Sequence, residues 1–477
     1  MSEVAAQAAT KPRILSFCRP YLTADFCANL APVSAEFEIA FLTDGRSPGT
    51  PDTRAQFYDN LRHERRCAEL DAAAQADVMA RCRLLRNLPP ATATGLMHAM
   101  AVTLAAELDR FQPDVVLCHM VDEYVTHLLA ILAARRGVPF IGYAHSYFPG
   151  LLQITQHAHG RPVEARAVPD EEVARVLETI RQRTFRQNYQ QRPTYSLRRH
   201  LWGLLRYRIK LAAFGVKSVL ERDPWNMHYS ITPYVVERRR LRDFPRPSDF
   251  AADWAADLRA LQAGSGKRVL YVPLAYFPES TLDYWILDKR ILRYEAVTLE
   301  MLRTLARDFI VVAKEHLHMM GARDVAFYAA LRAIPGVVSV HPLEYSNDVL
   351  AAADAVLLGA GSVGVEATLR DKPVFSYSDS SYWFAASRAT FLRLDEIERW
   401  SSRIAQVLGA YRPLDERAKR EFLRTCLSST VRPRAGGRRW PLIEIEDLRA
   451  LLRIALSRTD EARGPAVPRV TSARVGA

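Results

Sequence analysis

Short apolar runs alternate with longer stretches whose apolar positions recur every three or four residues. In the first 150 residues the runs Arg13 to Cys18 (RILSFC), Phe37 to Thr43 (FEIAFLT), Val115 to His119 (VVLCH) and Phe140 to His145 (FIGYAH) predict strands. From Pro51 to Phe111 the pattern is mainly helical, with a break at Pro89-Pro90, and Glu123 to Arg136 is helical again. Strands that alternate with helices predict a parallel sheet, so this half reads as a Rossmann-like domain. The alternation returns after Ala263. Arg268 to Leu274, Phe309 to Ala313, Val337 to Val340, Ala355 to Leu358 and Val374 to Tyr377 predict five strands. The helices expected between them run from about Ser280 to Arg307, Val325 to Ala333, Ser346 to Ala353 and after Ser362. That is a second doubly wound unit.

Between the two lies a different pattern. Glu171 to Arg183 reads as a charged helix, and Tyr195 to Tyr234 is basic and aromatic. Trp202, Leu205, Ile209 and Leu211 form an apolar helical stripe among Arg198, Arg199, Arg206, Arg208, Lys210 and Lys217. Such a helix fits an anionic membrane surface, or a place between domains with its charges in water. Asp243 to Ser248, with Pro245 and Pro247, reads as a linker. The expected organisation is an N-terminal domain over 12–165, a helical basic connecting region over 166–262 and a C-terminal domain over 263–400. C-terminal helices follow over 401–458, and a disordered tail over 459–477.

Composition sharpens the picture in two ways. The 477 residues carry a formal net charge of +12, mostly from arginine, which points to an anionic partner without choosing one. The six cysteines, at 18, 27, 67, 82, 118 and 426, include no CxxC pair and no metal spacing, and read as reduced thiols. No apolar run is long enough to span a bilayer, and MSEVAAQAATKPR lacks the core of a signal peptide. The expectation is a cytoplasmic protein, at most peripheral on a membrane. Nucleic acid is not expected as a partner, because the basic stretch lacks a recognition motif.

The candidate chemistry sits at predicted strand ends. Ala353 to Tyr377 (ADAVLLGAGSVGVEATLRDKPVFSY) reads as strand, glycine turn, helix, strand. Ser362 is placed to N-cap that helix, whose N–H groups and dipole favour a phosphate. Glu279, Lys314-Glu315-His316 and His341 follow the first three strands of the same unit, so all four ends share one edge. Lys314 and the Ser362 helix end suit a phosphate, and Glu366 is within reach of ribose hydroxyls. In the first domain His119, Asp122, Glu123, His145 and Ser146 lie at strand ends. His145 and Glu123 are the candidates for a general base acting on an acceptor, and Glu279 stands with them as a catalytic candidate.

The order VPLAYFPEST, VVAKEH…GARDVAFYAAL and IPGVVSVHPLEYSNDVLAAADAVLLGAGSVGVEATLRDKPVF resembles the bacterial capsule polysaccharide biosynthesis proteins, over about residues 268–385. That group includes Kdo-transferring enzymes of surface glycan assembly. The resemblance implies a GT-B-like fold, two Rossmann-like domains facing a cleft. It implies a metal-independent glycosyltransferase needing no cofactor, with a nucleotide-sugar donor (CMP-Kdo-like or UDP-sugar) and a glycan or glycolipid acceptor. On its motifs Glu279 matches a Pro-Glu pair, Lys314 and His316 a Lys-Glu-His-Pro run, and Gly361, Ser362 and Glu366 a Gly-Ser/Thr…Glu-Ala run. Two positions depart: Ala275 stands where the family often has histidine, and Leu317 where it has proline. Epimerases and polyol-phosphate transferases share the fold, so a different sugar-nucleotide reaction or a non-catalytic assembly role stays open.

Overall fold

The computed structural model describes residues 11–47, 50–182, 196–234, 244, 246–378 and 388–463. Two sheets organise them. In the first, β1 (Arg13–Phe17), β2 (Glu38–Leu42), β3 (Val115–His119) and β4 (Phe140–His145) pair in parallel in the order β2-β1-β3-β4. The sheet continues through β5 (Leu152–Gln156), which runs antiparallel to β4 and carries the short β6 (Arg161–Pro162). The second sheet holds β7 (Val269–Pro273), β8 (Ile310–Lys314), β9 (Val337–Val340), β10 (Ala355–Leu358), β11 (Val374–Ser376) and β12 (Ala389–Phe391). All its pairings are parallel, and the order is β9-β8-β7-β10-β11-β12. This is the doubly wound arrangement, with its strand order reversing between β7 and β10. β3, β8 and β10 are buried along their whole length, as strands covered on both faces must be. The fold is α/β and GT-B-like: two Rossmann-like units facing a cleft.

The predicted strands form where expected, but β5, β6 and β12 were not foreseen. Nor was β13 (Thr430–Val431), which pairs antiparallel with β5 and so joins the C-terminal segment to the first sheet. Its short length and its partner far back in the chain leave no local periodicity to read. The single helix expected from Ser280 to Arg307 is instead a short helix Ser280–Asp283, a turn, a 3-10 stretch Lys289–Arg293 and a helix Tyr294–Leu305. The interruption has a cause. Tyr284 and Trp285 leave the C-terminal unit and bury themselves in the core of the first one. Arg81, itself fully buried, holds them there by donating to the carbonyls of Asp283, Ile286 and Leu287 at 2.7, 2.8 and 2.7 Å. Arg83 and Arg86 meet the buried Asp283 carboxylate at 3.2 and 2.9 Å.

The helix Asp170–Arg181 and the helix Glu416–Ser428 bury Val173, Leu177, Phe422 and Leu423 in one cluster with β7, β8 and β10. The final helix Ile445–Arg463 returns to the N-terminal unit, where Leu448, Leu451 and Leu452 pack beside β1 and β3. The basic stretch forms one 24-residue helix, Leu197–Leu220. Its predicted stripe is divided: Trp202, Leu205 and Ile209 are exposed while Leu211 is half-buried. The predicted linker at 243–248 is described except at 243 and 245 and runs into a 3-10 turn, Pro247–Asp249. The tail predicted over 459–477 continues the last helix to Arg463, and 464–477 lie outside the described residues. None of the six cysteines is in a disulfide.

Candidate functional site

The carboxyl ends of both sheets open on one cleft of about 450 Å³. The C-terminal unit supplies the floor and one wall: Ala275, Tyr276, Glu279, Lys314, His316, Tyr345, Gly361, Ser362 and Glu366. The N-terminal unit supplies Met120, Ala144, His145 and Tyr147, and Trp440 reaches in from the returning C-terminal segment.

Two glycines shape the turn after β10. A Cβ at Gly359 would lie 2.4 Å from the Tyr377 ring, so only glycine lets the two approach. Gly361 has φ of +133°, a conformation that side chains oppose. The helix that follows, Val363–Leu369, begins differently from the expectation. Ser362 already has helical angles (φ −66°, ψ −24°) and its side chain caps nothing. Its hydroxyl instead donates to Glu366 at 2.9 Å. Glu366 is buried, lies 3.6 Å from Arg370, and has its pKa pushed up by burial against the opposing pull of Ser362 and Arg370. It is therefore a satisfied carboxylate at the cleft wall, and a ribose would have to compete with Ser362 for it.

Lys314 ends β8 with its side chain buried. Its Nζ donates to the carbonyl of Pro342 at 3.1 Å and of Glu315 at 3.3 Å, which fixes the amine at the cleft floor. The neighbouring Glu315 also lines the cleft, but its carboxylate is buried and engaged. It forms a 2.6 Å ion pair with Arg323, both side chains at 1% exposure or less, and accepts from Tyr328 at 3.0 Å. Arg323 also donates to the Ala275 carbonyl at 2.8 Å and lies over the Tyr294 and Phe327 rings. One buried guanidinium thus ties the loop after β7 to the loop after β8, and with them Lys314. Arg323 lies in the stretch GARDVAFYAAL, which carried the resemblance but pointed to no role for it.

His316 is half-buried at the cleft, beside Tyr276 with ring centroids 5.3 Å apart. Its Nδ1 accepts the His318 N–H at 3.2 Å. Burial, aided by the charges of His318 and Lys314, pushes its pKa down to about 3, so the ring is neutral at physiological pH. Glu279 caps the helix Ser280–Asp283, accepting from the Thr281 N–H at 2.8 Å and from the Ser280 and Thr281 hydroxyls.

Two predicted residues lie elsewhere. His341 is not in the cleft lining. Its Nδ1 accepts the Leu343 N–H at 3.2 Å and its ring meets Phe250 edge-on at 4.9 Å, so it shapes the turn before the cleft. Glu123 is fully buried, and its two oxygens accept the Val125 and Thr126 N–H groups at 2.7 and 3.0 Å. It is the N-cap of the helix Tyr124–Arg135 and does not line the cleft. Burial pushes its carboxyl up, with Asp122 and Asp44 adding to the effect and Arg19 opposing it.

Of the N-terminal candidates only His145 reaches the cleft. It is exposed at the end of β4, with its ring centroid 6.3 Å from that of Trp440. Ser146 is buried and accepts the Phe148 N–H at 3.1 Å. His119, Asp122 and Glu123 bring ligand-type atoms within 4.8 Å of one another. The two carboxylates are already engaged: Arg19 Nη2 donates to both Asp122 oxygens at 2.9 and 2.8 Å, and Glu123 accepts backbone N–H groups. Burial raises the Asp122 carboxyl, but Arg19 and His119 outweigh it and hold it well below its usual range. Met120, Tyr147, Trp285 and Trp440 were missed by the sequence reading, because no spacing links an aromatic at 440 to a strand end at 145.

No protein-family model matches the chain, and no curated protein sequence does. Solved structures are similar in fold. They include KpsC of Thermosulfurimonas dismutans, a beta Kdo 2,7 transferase, at 10% identity over 93% of this chain and 99% of that one, with a TM-score of 0.35. A UDP-GlcNAc 2-epimerase from Neisseria meningitidis bound to UDP-GlcNAc is 13% identical over 88% and 97% of the two chains, with a TM-score of 0.26. A glycosyltransferase from Rickettsia africae is 11% identical over 95% and 98%, with a TM-score of 0.28. At such values the likeness carries nothing about activity, and the fold rests on the strand order described above.

Proposed function

We propose that this chain is a glycosyltransferase that moves a sugar from a nucleotide-sugar donor to a glycan or glycolipid acceptor. The observation that carries the reading is the composition of the cleft where the two sheets' strand ends meet. A fixed lysine, a glycine turn and a neutral histidine stand on the C-terminal side, and an exposed histidine stands opposite on the N-terminal side. In this reading Lys314 meets the donor's phosphates and stabilises the charge that builds on the departing nucleotide. The Gly361 turn gives the phosphates room to approach the backbone. His316 stays neutral and offers Nε2 to a ribose or phosphate oxygen. Glu279 keeps the wall beside the donor rigid. His145 takes the proton from the acceptor hydroxyl as the new glycosidic bond forms. The proposed donor classes are CMP-Kdo-like and UDP-sugars.

Ala275 bears on the same reading. Its backbone N–H receives Tyr294 as an acceptor at 2.6 Å and its carbonyl receives Arg323, so the loop keeps its position without a histidine side chain there.

The test is thermal unfolding with CMP, UDP, GDP, CDP and TDP, followed by product analysis with the nucleotide that stabilises. A ligand that binds only the folded chain raises the midpoint as its concentration passes its dissociation constant. Stabilisation by one nucleotide, lost in Lys314→Met, supports the donor assignment. Conversion of the sugar nucleotide with no acceptor present would mean an epimerase, and no stabilisation at millimolar ligand would sink the catalytic reading.

A further inference from the structure

The helix Leu197–Leu220 contains six arginines and lysines and no aspartate or glutamate. It is held at both ends, by different halves of the molecule. Near its start, His200 is buried against Gly321 of the C-terminal unit, where an added Cβ would come within 2.5 Å of the imidazole. Just past its end, the Glu221 carbonyl accepts Arg54 at 3.2 Å, and Asp223 accepts Tyr58 at 2.7 Å with Arg54 at 3.6 Å, all in the N-terminal unit. The inner face is His200, Leu204, Tyr207, Leu211 and Phe214, buried or half-buried.

The outer face is the unusual part. At about 100° per residue, Leu201, Leu205, Ile209 and Val216 fall on one stripe opposite the inner face, with Trp202 on its border. These side chains are open to water: Trp202 is 59% exposed, Ile209 58% and Val216 59%. Large apolar side chains exposed in a row mark a docking surface. On the same wheel Arg199, Arg206, Lys210 and Lys217 line one edge of the stripe and Arg208 the other, while Arg198 falls within the stripe at the helix's first turn. The helix is not apolar enough to cross a bilayer; none among the described residues is.

We propose that this helix lies flat on an anionic lipid bilayer, with the stripe in the acyl boundary and the basic edges at the headgroups. Three observations select that occupant. Cations flank the stripe on both sides, as anionic headgroups require and as a neutral apolar groove does not. A second copy of the same helix would bring arginine and lysine edges together with no acidic residue to meet them. The chain as a whole is at +12, so the long-range field also favours an anionic surface. This docking does not depend on the transfer reaction, and it is tested without donor or acceptor.

The experiment is flotation of the full chain with phosphatidylcholine vesicles and with vesicles containing about 30 mol% phosphatidylglycerol. Binding is expected to the second and not the first, and to fall as salt is raised. The double variant Leu205→Asp/Ile209→Asp and the double variant Arg206→Glu/Lys217→Glu should each cut the bound fraction at least about tenfold while leaving the unfolding midpoint unchanged, since all four side chains face water. Failure of the full chain to float with anionic vesicles overturns the proposal. So do equal binding to both vesicle types and undiminished binding of both variants. A dimer on gel filtration that Leu205→Asp/Ile209→Asp dissolves, with no lipid binding, would assign the stripe to a second copy instead.

Discussion

Each sheet has one crevice where its strand order reverses, between β1 and β3 in the N-terminal half and between β7 and β10 in the C-terminal half. Such crevices are the usual ligand sites of open α/β sheets. In the N-terminal half the crevice is filled from within. Arg19, following β1, reaches Asp122, following β3, and Glu123 turns its oxygens onto its own helix. In the C-terminal half the equivalent arginine–carboxylate pair, Arg323 with Glu315, is fully buried beside the cleft floor. It consumes the carboxylate there and leaves Lys314 and the Gly361 turn at the cleft. The same chemistry thus closes one crevice and props the other open. Of the N-terminal half's candidate acids and bases only His145, one strand further along the first sheet, reaches the cleft, beside Met120, Ala144 and Tyr147.

The sharpest way to break this comparison is to remove each arginine. Arg323→Met leaves Glu315 charged, buried and unpaired, and should cost about 3–5 kcal/mol of stability in urea unfolding. Adding Glu315→Gln should return part of that loss, because no lone carboxylate remains. Arg19→Met should cost less, since the Asp122 side chain keeps 24% exposure and water can take over. Equal losses would mean that the two pairs do the same job.

Next in size is the cleft floor. Lys314→Met keeps the length of the side chain and removes its charge. Transfer should fall about 10²–10³-fold, the scale seen when one preorganised electrostatic contact to a developing anion is lost. Nucleotide-dependent stabilisation should vanish with it. A variant that transfers normally would remove Lys314 from the donor site.

The two histidine and glutamate candidates of the N-terminal half separate in the same way. His145→Asn should lower kcat/KM by about 10²-fold, as for loss of a general base, and leave nucleotide stabilisation intact. Glu123→Gln should leave turnover alone and cost about 1 kcal/mol, the worth of a helix cap. Reversal of these outcomes, read by steady-state kinetics and urea unfolding, would restore Glu123 as the base.

How much of this was legible beforehand follows from what is local. Most of the nine principal strands were visible because a strand buried on both faces is a contiguous apolar run; β2, half-buried at the sheet edge, also showed as one. So was the shared edge of Glu279, Lys314 and Gly361, which follows from parallel order alone. What stayed hidden depends on partners distant in sequence. Glu123 and His145 both looked like strand-end bases, and only the orientation of two side chains tells a cap from a cleft residue. Ser362 looked like a helix cap, yet its hydroxyl donates to Glu366 one turn on instead of accepting a backbone N–H. Arg81 breaks a predicted helix some two hundred residues away by holding its carbonyls. Trp440 enters the cleft only because β13 carries the chain back to the first sheet.

The last predicted effect is a difference in sign. At the C-terminal edge His316 is held neutral, with its pKa near 3 against an ordinary value of 6.5. The unfolded chain then binds more protons below 6.5, so this contribution to stability is complete above that pH and is lost as pH falls towards about 3. At the N-terminal edge Glu123 is shifted the other way. Its carboxyl is raised above the ordinary 4.5, so its contribution is complete below that value and is lost as pH rises through the raised pKa. Neither slope can exceed about 1.4 kcal/mol per pH unit, the worth of one proton. Unfolding midpoints across the pH range should therefore lose part of their acid limb in His316→Gln and part of their decline towards neutrality in Glu123→Gln. If both variants flatten the same limb, the two edges share one electrostatic environment and the contrast between a filled crevice and an open one fails.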